Sequence, residues 1–295
     1  MEQSTFDDIA SNAFQGRFMV ETRAMQLESI ITSRGMSQGN TSKQSIDFKG
    51  SKNSPLLYLK LKIEGCNLFS DIKQVVIDEA QDYCLMQYEV FKLLFKGAKY
   101  TVLGDIHQPI EREADSSLYD DISEILKKPK TIKLFLNKGY RSSYEISAFT
   151  RRLLGVKQDY IPFERHEKEP LVVRRKTEEL IDRAITGDVA NFIEQGYDSM
   201  AIICKTQREA ERVYSRLNNL IPVKLIDPHD GNVEKGVMVI PSYMAKGLEF
   251  DVVMVYGANR ENYSSEFDRK LLYVACTRAL HRLVLYHTGE KSPFI

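Results

Sequence analysis

Over most of the chain, short aliphatic and β-branched runs alternate with longer stretches of helical period. QVVIDE (74–79) and KYTVLGD (99–105) read as strands, set between the helical patterns LLYLKLKIEG (56–65), YCLMQYEVFKLLF (83–95) and a charged stretch at 115–128. TIKLFL (131–136) follows as a further strand. The remainder keeps the alternation: SYEISAFTRRLLG helix, PLVVRR strand, a helix near 177–195, SMAIICK strand and QREAERVYSRLNNL helix. VKLID, GVMVIPS and DVVMVYG then read as strands, followed by a helix ending at CTRALH, with Leu272, Cys276 and Ala279 on one face, and by the strand RLVLYH. Apolar strands separated by helices of about ten residues or more predict parallel sheets covered on both faces. The expected class is α/β, with two such sheets divided near residue 130.

Residues 1–55 have a different texture. FMVETRAMQLESIIT (18–32) has helical spacing, and the stretch that follows it to residue 54 is rich in Ser, Gly, Lys and Asn. A helix and a polar linker are expected there, a remnant of an insertion or of something larger. Residues 56–130 form a partial first lobe and 131–295 a second.

Composition narrows the class. At 295 residues, 43% hydrophobic and 28% charged, the chain suits two globular domains. Lys+Arg and Asp+Glu are both 41, so a polyanion would be held in a local groove and not by a basic whole surface. No apolar run reaches the roughly 20 residues a bilayer helix needs, so no membrane partner is expected. MEQSTFDDIA lacks the basic and apolar regions of a secretory signal. Cys66, Cys84, Cys204 and Cys276 form no CxxC pair, which points to reduced thiols in a cytoplasmic setting and gives a zinc site no support.

The chemistry gathers at strand ends. Open parallel sheets bind ligands at the carboxyl ends of their strands, and Asp78 and Glu79 stand there. A hard carboxylate such as Asp78 suits Mg²⁺, and its neighbour can polarise a water for attack on a phosphoryl group. The alternative is an acidic loop in which Asp82 caps the next helix. After the second strand come Gly104, Asp105 and Gln108; a Gln there can bond both a terminal phosphate and a water, or simply belong to a turn. Arg141 precedes a helix that Ser142 or Ser143 could cap and can reach a phosphate bidentately, though such Arg residues also form surface ion pairs. Lys246-Gly-Leu-Glu stands before a strong strand. Arg278 is the one side chain of its helix able to extend as a charged finger, or else an exposed helical Arg.

Taken in order, VVIDEAQD, TVLGDIHQ, NKGYRSSYEI, YMAKGLEFD and LLYVACTRALH resemble the superfamily-one ATPases of the UvrD/Rep helicase type over residues 56–295. LNKGYRSSYEI, VIPSYMAKGLEFD and LLYVACTRALH are most similar to the HelD-like branch, ATPases associated with bacterial RNA polymerase. The resemblance implies two RecA-like lobes clamping Mg²⁺ and ATP between them, Asp78 holding the metal and Glu79 activating the water. It implies that Gln108 and Arg141 reach the γ-phosphate, Tyr140 stacks on adenine and Glu249 holds the ribose hydroxyl. Gly247 lets the backbone approach closely, and Arg278 is the arginine finger. The implied function is a DNA helicase or translocase motor working on single-stranded or duplex DNA. The alternative is a polymerase-binding remodelling ATPase with little unwinding.

The departures carry weight. Gly139 precedes Tyr140 where the helicases read Asn, and Pro241 and Tyr243 replace the usual Thr and His near the nucleic-acid track. The stretch between Arg141 and Pro241 leaves no room for a large accessory domain. No G-x-x-x-x-G-K-[ST] occurs in the sequence; RGMSQGNTSK (34–43) has neither the Gly-Lys-Ser/Thr nor a strand before it. The first lobe is therefore expected to lack its phosphate-loop unit, and the 295 residues alone are expected to turn over little ATP.

Overall fold

The structure is a computed structural model that describes residues 54–65, 69–105, 117–136, 139–155, 163–226 and 235–295. The expected helix at 18–32, the polar linker, Cys66 and Gln108 lie outside the described residues. The chain divides into two compact units, 1–133 and 134–295. Both are mixed α/β with parallel strands, the architecture expected of RecA-like lobes.

In the first unit, α1 (Ser54–Glu64) leads to β1 (Gln74–Ile77), a 3₁₀ turn (Ala80–Asp82), α2 (Leu85–Leu94), β2 (Lys99–Val102) and α3 (Ser117–Leu126). β1 and β2 pair in parallel, Gln74 opposite Lys99 and Ile77 opposite Val102, with α2 as the crossover. Val75, Ile77, Ala80, Tyr88, Ala98, Ile122 and Leu126 form one apolar cluster; Leu57, Val90 and Leu94 form a second between α1 and α2. The cap of α2 corrects one sequence expectation. Its N-cap is Cys84, whose amide donates to the Gln87 side chain at 2.7 Å, so Asp82 is left within the 3₁₀ turn and does not cap the helix.

The second unit begins with α4 (Tyr144–Leu154) and β3 (Leu171–Arg174), followed by α5 (Glu178–Glu194), β4 (Ser199–Cys204) and α6 (Gln207–Leu217). It continues through β5 (Lys224–Leu225), β6 (Gly236–Pro241), β7 (Phe250–Val255), α7 (Glu266–Cys276) and β8 (Ala279–His287). The strands form one six-stranded sheet in the order β3-β8-β7-β4-β6-β5, every neighbouring pair parallel. Met200, Ile202, Val239, Val252 and Met254 pack against Ile185, Val189, Val213 and Leu217 of α5 and α6. Burial on both faces explains why the central strands are continuous apolar runs. Ser143, Thr177, Thr206 and Ser265 start α4 to α7 as N-caps, each hydroxyl accepting an amide three residues on.

Two elements differ from the sequence reading. Residues 131–136 form no strand, and Ile132, Leu134, Phe135 and Leu136 are exposed. Their pattern suits a strand, but a strand exists only through pairing, and among the described residues this segment has no ladder partner. The last helix stops at Cys276, so Ala279 opens β8 and does not extend the helical face; Leu272, Cys276 and Ala279 are nonetheless all buried. Cys84, Cys204 and Cys276 are free thiols, and burial pushes the latter two well above the ordinary thiol range. Among the described residues no helix is long and apolar enough to cross a membrane.

Candidate functional site

β1 delivers Asp78 and Glu79 to its carboxyl end, both half-buried. The backbone turns abruptly there. Glu79 adopts left-handed dihedrals, φ 51° and ψ 44°, which a non-glycine residue holds only when its surroundings fix it. Several bonds do so. The Glu79 amide donates to Asp78 Oδ1 at 2.9 Å, and the Ala80 amide donates to Leu103 O at 2.9 Å. The buried Tyr88 hydroxyl donates to Ala80 O at 2.6 Å. Gln81, 5% exposed, donates through Nε2 to Glu79 Oε2 at 2.6 Å and accepts the Asp105 amide on Oε1 at 3.1 Å. The ends of β1 and β2 are thereby joined through one side chain.

Among the described residues no group of three or more His, Cys, Asp or Glu could hold a metal by itself. That donor set suits Mg²⁺, which takes one or two carboxylates and completes its shell with water and substrate phosphate oxygens. Asp78 and Glu79 are the two carboxylates that this strand end offers to such a shell.

In the second unit Arg141 and Glu249 come together, and Arg278 reaches the carbonyl of the neighbouring Leu248. Arg141 Nε meets Glu249 Oε1 at 2.7 Å, with side chains 52% and 38% exposed. Arg141 leads into α4 through Ser142, whose hydroxyl donates to Ala279 O at 2.8 Å, and the Ser143 amide bonds Leu280 O. Arg165 reinforces this seat: Nη2 donates to Arg141 O at 2.8 Å and to Leu280 O at 2.7 Å. Tyr140 is 65% exposed, its ring 5.9 Å from that of Phe163. Gly247 has φ +80°, and a Cβ there would meet nothing within 4 Å, so the glycine serves the left-handed turn and leaves open space beside it.

Arg278 is placed differently from the extended finger its helix suggested. It is 1% exposed. Its Nε donates to Val274 O at 3.1 Å, Nη1 to Leu248 O at 3.5 Å and Nη2 to Thr277 Oγ1 at 3.1 Å. The reason is the helix end. α7 stops two residues earlier, and its last carbonyls draw the guanidinium back over them. Arg278 thus touches the same Lys-Gly-Leu-Glu loop that carries Glu249.

The carboxyl ends of β4, β6 and β7 in this unit carry a second polar group. Lys205 Nζ lies 2.5 Å from Asp268 Oδ1 and also donates to Asn262 O. Burial opposes ionisation of Asp268, but bonds from Lys205, Ser265 and Ser264 outweigh it and hold the carboxyl at about 2. Burial pushes Glu209 up, partly offset by bonds from the Lys205 amide and Asn262. Pro241 is buried at the end of β6, and Tyr243 is exposed with its hydroxyl 3.3 Å from Gln207 Oε1. The cation at this edge is therefore already paired within the protein.

Sequence reasoning missed Gln81, Tyr88 and Arg165, and it named Gly104 without the space that the glycine leaves for Gln81. Gln81 stands inside DEAQD, two residues from Glu79, and its placement there was the one available signal.

Residues 21–125 match the UvrD/REP helicase N-terminal domain family, and residues 236–286 match the UvrD-like helicase C-terminal domain family. The chain is similar to UvrD/REP-type helicases. The second match contains Gly247, Glu249 and Arg278, and the first contains Asp78, Glu79 and Gln108. A "probable DNA helicase II homolog" of Mycoplasma genitalium is 28% identical over 116 residues, which is 35% of this helicase-like chain and 16% of that relative's length. The solved C-terminal domain of a "possible DNA helicase" from Lactobacillus plantarum WCFS1 is 36% identical, covering 52% of this chain and 91% of that one, with a TM-score of 0.46. The two family matches reach the UvrD/REP type and do not extend to the finer HelD-like branch.

Proposed function

We propose that the chain contributes the C-terminal part of an ATP-dependent DNA helicase or translocase motor, and that Asp78 and Glu79 are its hydrolytic carboxylates. The observation that carries the reading is the turn after β1. A half-buried acidic pair sits at a sheet's carboxyl edge, with Glu79 on a left-handed backbone held by hydrogen bonds from the buried Gln81 and Tyr88. A turn under such constraint is more than a helix cap, and Asp82 is not the cap of α2.

In this reading Asp78 would hold Mg²⁺, which would supply neutralisation of phosphate charge. Glu79 accepts a proton from the attacking water. Gln108 reports the state of the γ-phosphate. In the second unit Tyr140 offers an exposed ring for the adenine, Glu249 accepts the ribose hydroxyl beside the open turn at Gly247, and Arg141 reaches the γ-phosphate once it leaves Glu249. Arg278 enters as a finger by releasing the Leu248 carbonyl. Each such cation stabilises charge that develops on the phosphoryl oxygens.

The test compares ATP hydrolysis by the 295 residues with that of a form extended upstream through a phosphate-loop unit, each with and without single-stranded DNA. Background turnover by the shorter form is expected, with DNA-stimulated turnover by the longer one that Glu79→Gln abolishes. Turnover by the 295 residues alone that Glu79→Gln removes would contradict the need for a phosphate loop. Turnover in the longer form that Glu79→Gln leaves intact would remove the assignment of the carboxylates.

A further inference from the structure

The hydrogen bonds around Glu79 converge on a residue with no role in the mechanism above. Gln81 is buried, yet both ends of its amide are engaged, and only one orientation of that amide serves both partners. Nε2 can donate but not accept, so it faces the Glu79 carboxylate; Oε1 can accept but not donate, so it faces the Asp105 amide. Reversing the amide would set oxygen against carboxylate and two donors against each other. The backbone on the far side is fitted to this arrangement. A Cβ on Gly104 would lie 2.5 Å from Gln81 Oε1, 2.3 Å from the Tyr119 hydroxyl and 3.3 Å from the Ala80 Cβ. Gly104 has no left-handed φ, so its missing side chain makes room and does not relieve the backbone. The Tyr119 hydroxyl is buried and finds no hydrogen-bond partner among the described residues. Burial pushes it up to about 12, and the charges of Asp105 and Glu79 add to that, which places all three groups in one cluster.

We infer that Gln81 is a positioning residue: it fixes one carboxylate oxygen of Glu79 while tying the Glu79 turn to the Gly104–Asp105 end of β2. This rests on the reading of Glu79 as the group that accepts the proton from water. With Oε2 occupied by the amide, one lone-pair direction of Glu79 is taken, and the carboxylate cannot rotate freely about its last bond. The other end of the same amide holds the Asp105 backbone, so the water-polarising group and the end of β2 share a brace. Gly104 is the companion of that brace because any side chain there would push Gln81 away.

The experiment uses the form extended upstream through a phosphate-loop unit and compares Gln81→Met, Gln81→Glu and Gly104→Ala with the parent. Gln81→Met is expected to lower kcat about tenfold or more, because a misaligned base forfeits part of the ~10²–10⁴-fold that general-base catalysis supplies, with KM for ATP changed less than about twofold. Gln81→Glu keeps an acceptor for the Asp105 amide but loses the donor to Glu79. It is expected to restore slow exchange of the Asp105 amide while leaving kcat as low as in Gln81→Met. Gly104→Ala is expected to lower kcat in the same way. Amide exchange in β1 and α2 monitors folding of this unit in each variant. Parent-like kcat in Gln81→Met or Gln81→Glu would overturn the inference; recovery of kcat together with the Asp105 amide in Gln81→Glu would mean that the tie to β2, and not the bond to Glu79, sustains turnover. Parent-like turnover in Glu79→Gln would instead bring down the underlying reading, whatever Gln81 does.

Discussion

Replacing Asp268 with Asn should destabilise the second unit in a way that depends on pH. Asp268 is 7% exposed, pairs with Lys205 and completes the capping box of α7 by accepting the Ser264 and Ser265 amides at 3.2 and 3.0 Å. Its carboxyl is held at about 2 in the fold, against about 3.9 in an unfolded chain. The folded value is the lower, so the stabilisation is present in full above the unfolded value and is lost as pH falls toward the folded one. That difference corresponds to about 2 kcal/mol at pH 7, falling to roughly half by pH 3. Asn keeps the size and one acceptor oxygen, so the charge term dominates the loss. Ala would add the loss of the cap, about 1 kcal/mol, and would leave Lys205 with the Asn262 carbonyl and the Tyr263 ring but no carboxylate from α7.

Native-state hydrogen exchange of the β4, β6 and β7 amides reads this unit on its own. The expected result is a gap of about 2 kcal/mol between the parent and Asp268→Asn at pH 7 that narrows steadily below pH 4. Parallel pH profiles, or a gap below about 0.5 kcal/mol at pH 7, would refute the reasoning. Either would mean that solvent already screens the pair and that Lys205 is free to bind another anion.

Arg278→Ala should cost about 3 kcal/mol of stability, since it empties a fully buried site and removes the guanidinium donor from the Leu248 carbonyl, while Val274 O keeps the Thr277 hydroxyl. A change below about 0.5 kcal/mol in thermal or urea unfolding would show that the guanidinium is not seated there. Glu249→Ala should behave oppositely. The exposed pair with Arg141 is worth at most about 1 kcal/mol, so stability should hardly move while ATP affinity of the extended form falls about tenfold. Unchanged affinity, measured by titration with a fluorescent ATP analogue, would remove Glu249 from the nucleotide site. Amides of β1 and β2 should exchange faster than those of β4, β6 and β7, because the two strands described in the first unit have little sheet interior to protect them. Greater protection at residues 74–102 than at residues 199–255 would contradict this.

The central strands were legible because burial on both faces leaves a continuous apolar run, as in SMAIIC and DVVMV. The acidic pair was legible because charge directly after such a run must lie at a sheet edge. The seat of Arg141 was partly legible: Ser143 is the cap, one of the two serines proposed for it. What could not be read depends on pairings across long separations. TIKLFL has the composition of a strand, but its state is decided by whether another strand lies beside it. Glu249 lies 2.7 Å from Arg141 although the two are far apart in sequence, and no local pattern announces that contact. The burial of Arg278 turned on where α7 ends, and helix ends are the least certain part of any periodic pattern. Gln81 was invisible as a brace because its second partner, Asp105, belongs to another strand.

These cases share a physical pattern that bears on how such a site should be probed. The groups proposed to meet nucleotide are partly exposed and stand in short motifs: Glu79, Tyr140, Arg141 and Glu249. The groups that aim them are more deeply placed or arrive from elsewhere in the chain: Tyr88 and Gln81 around Glu79, Arg165 behind Arg141. Arg278 belongs to both sets. It is buried like a brace yet stands in a motif proposed to act on phosphate, so removing it disturbs fold and chemistry together. Arg278→Lys keeps the charge but cannot reproduce a planar fork shared among Val274, Leu248 and Thr277. An activity loss at Arg278 therefore supports a finger only where amide exchange in α7 and β8 stays at the parent level. For Glu249, with its exposed side chain, the same loss can be read directly.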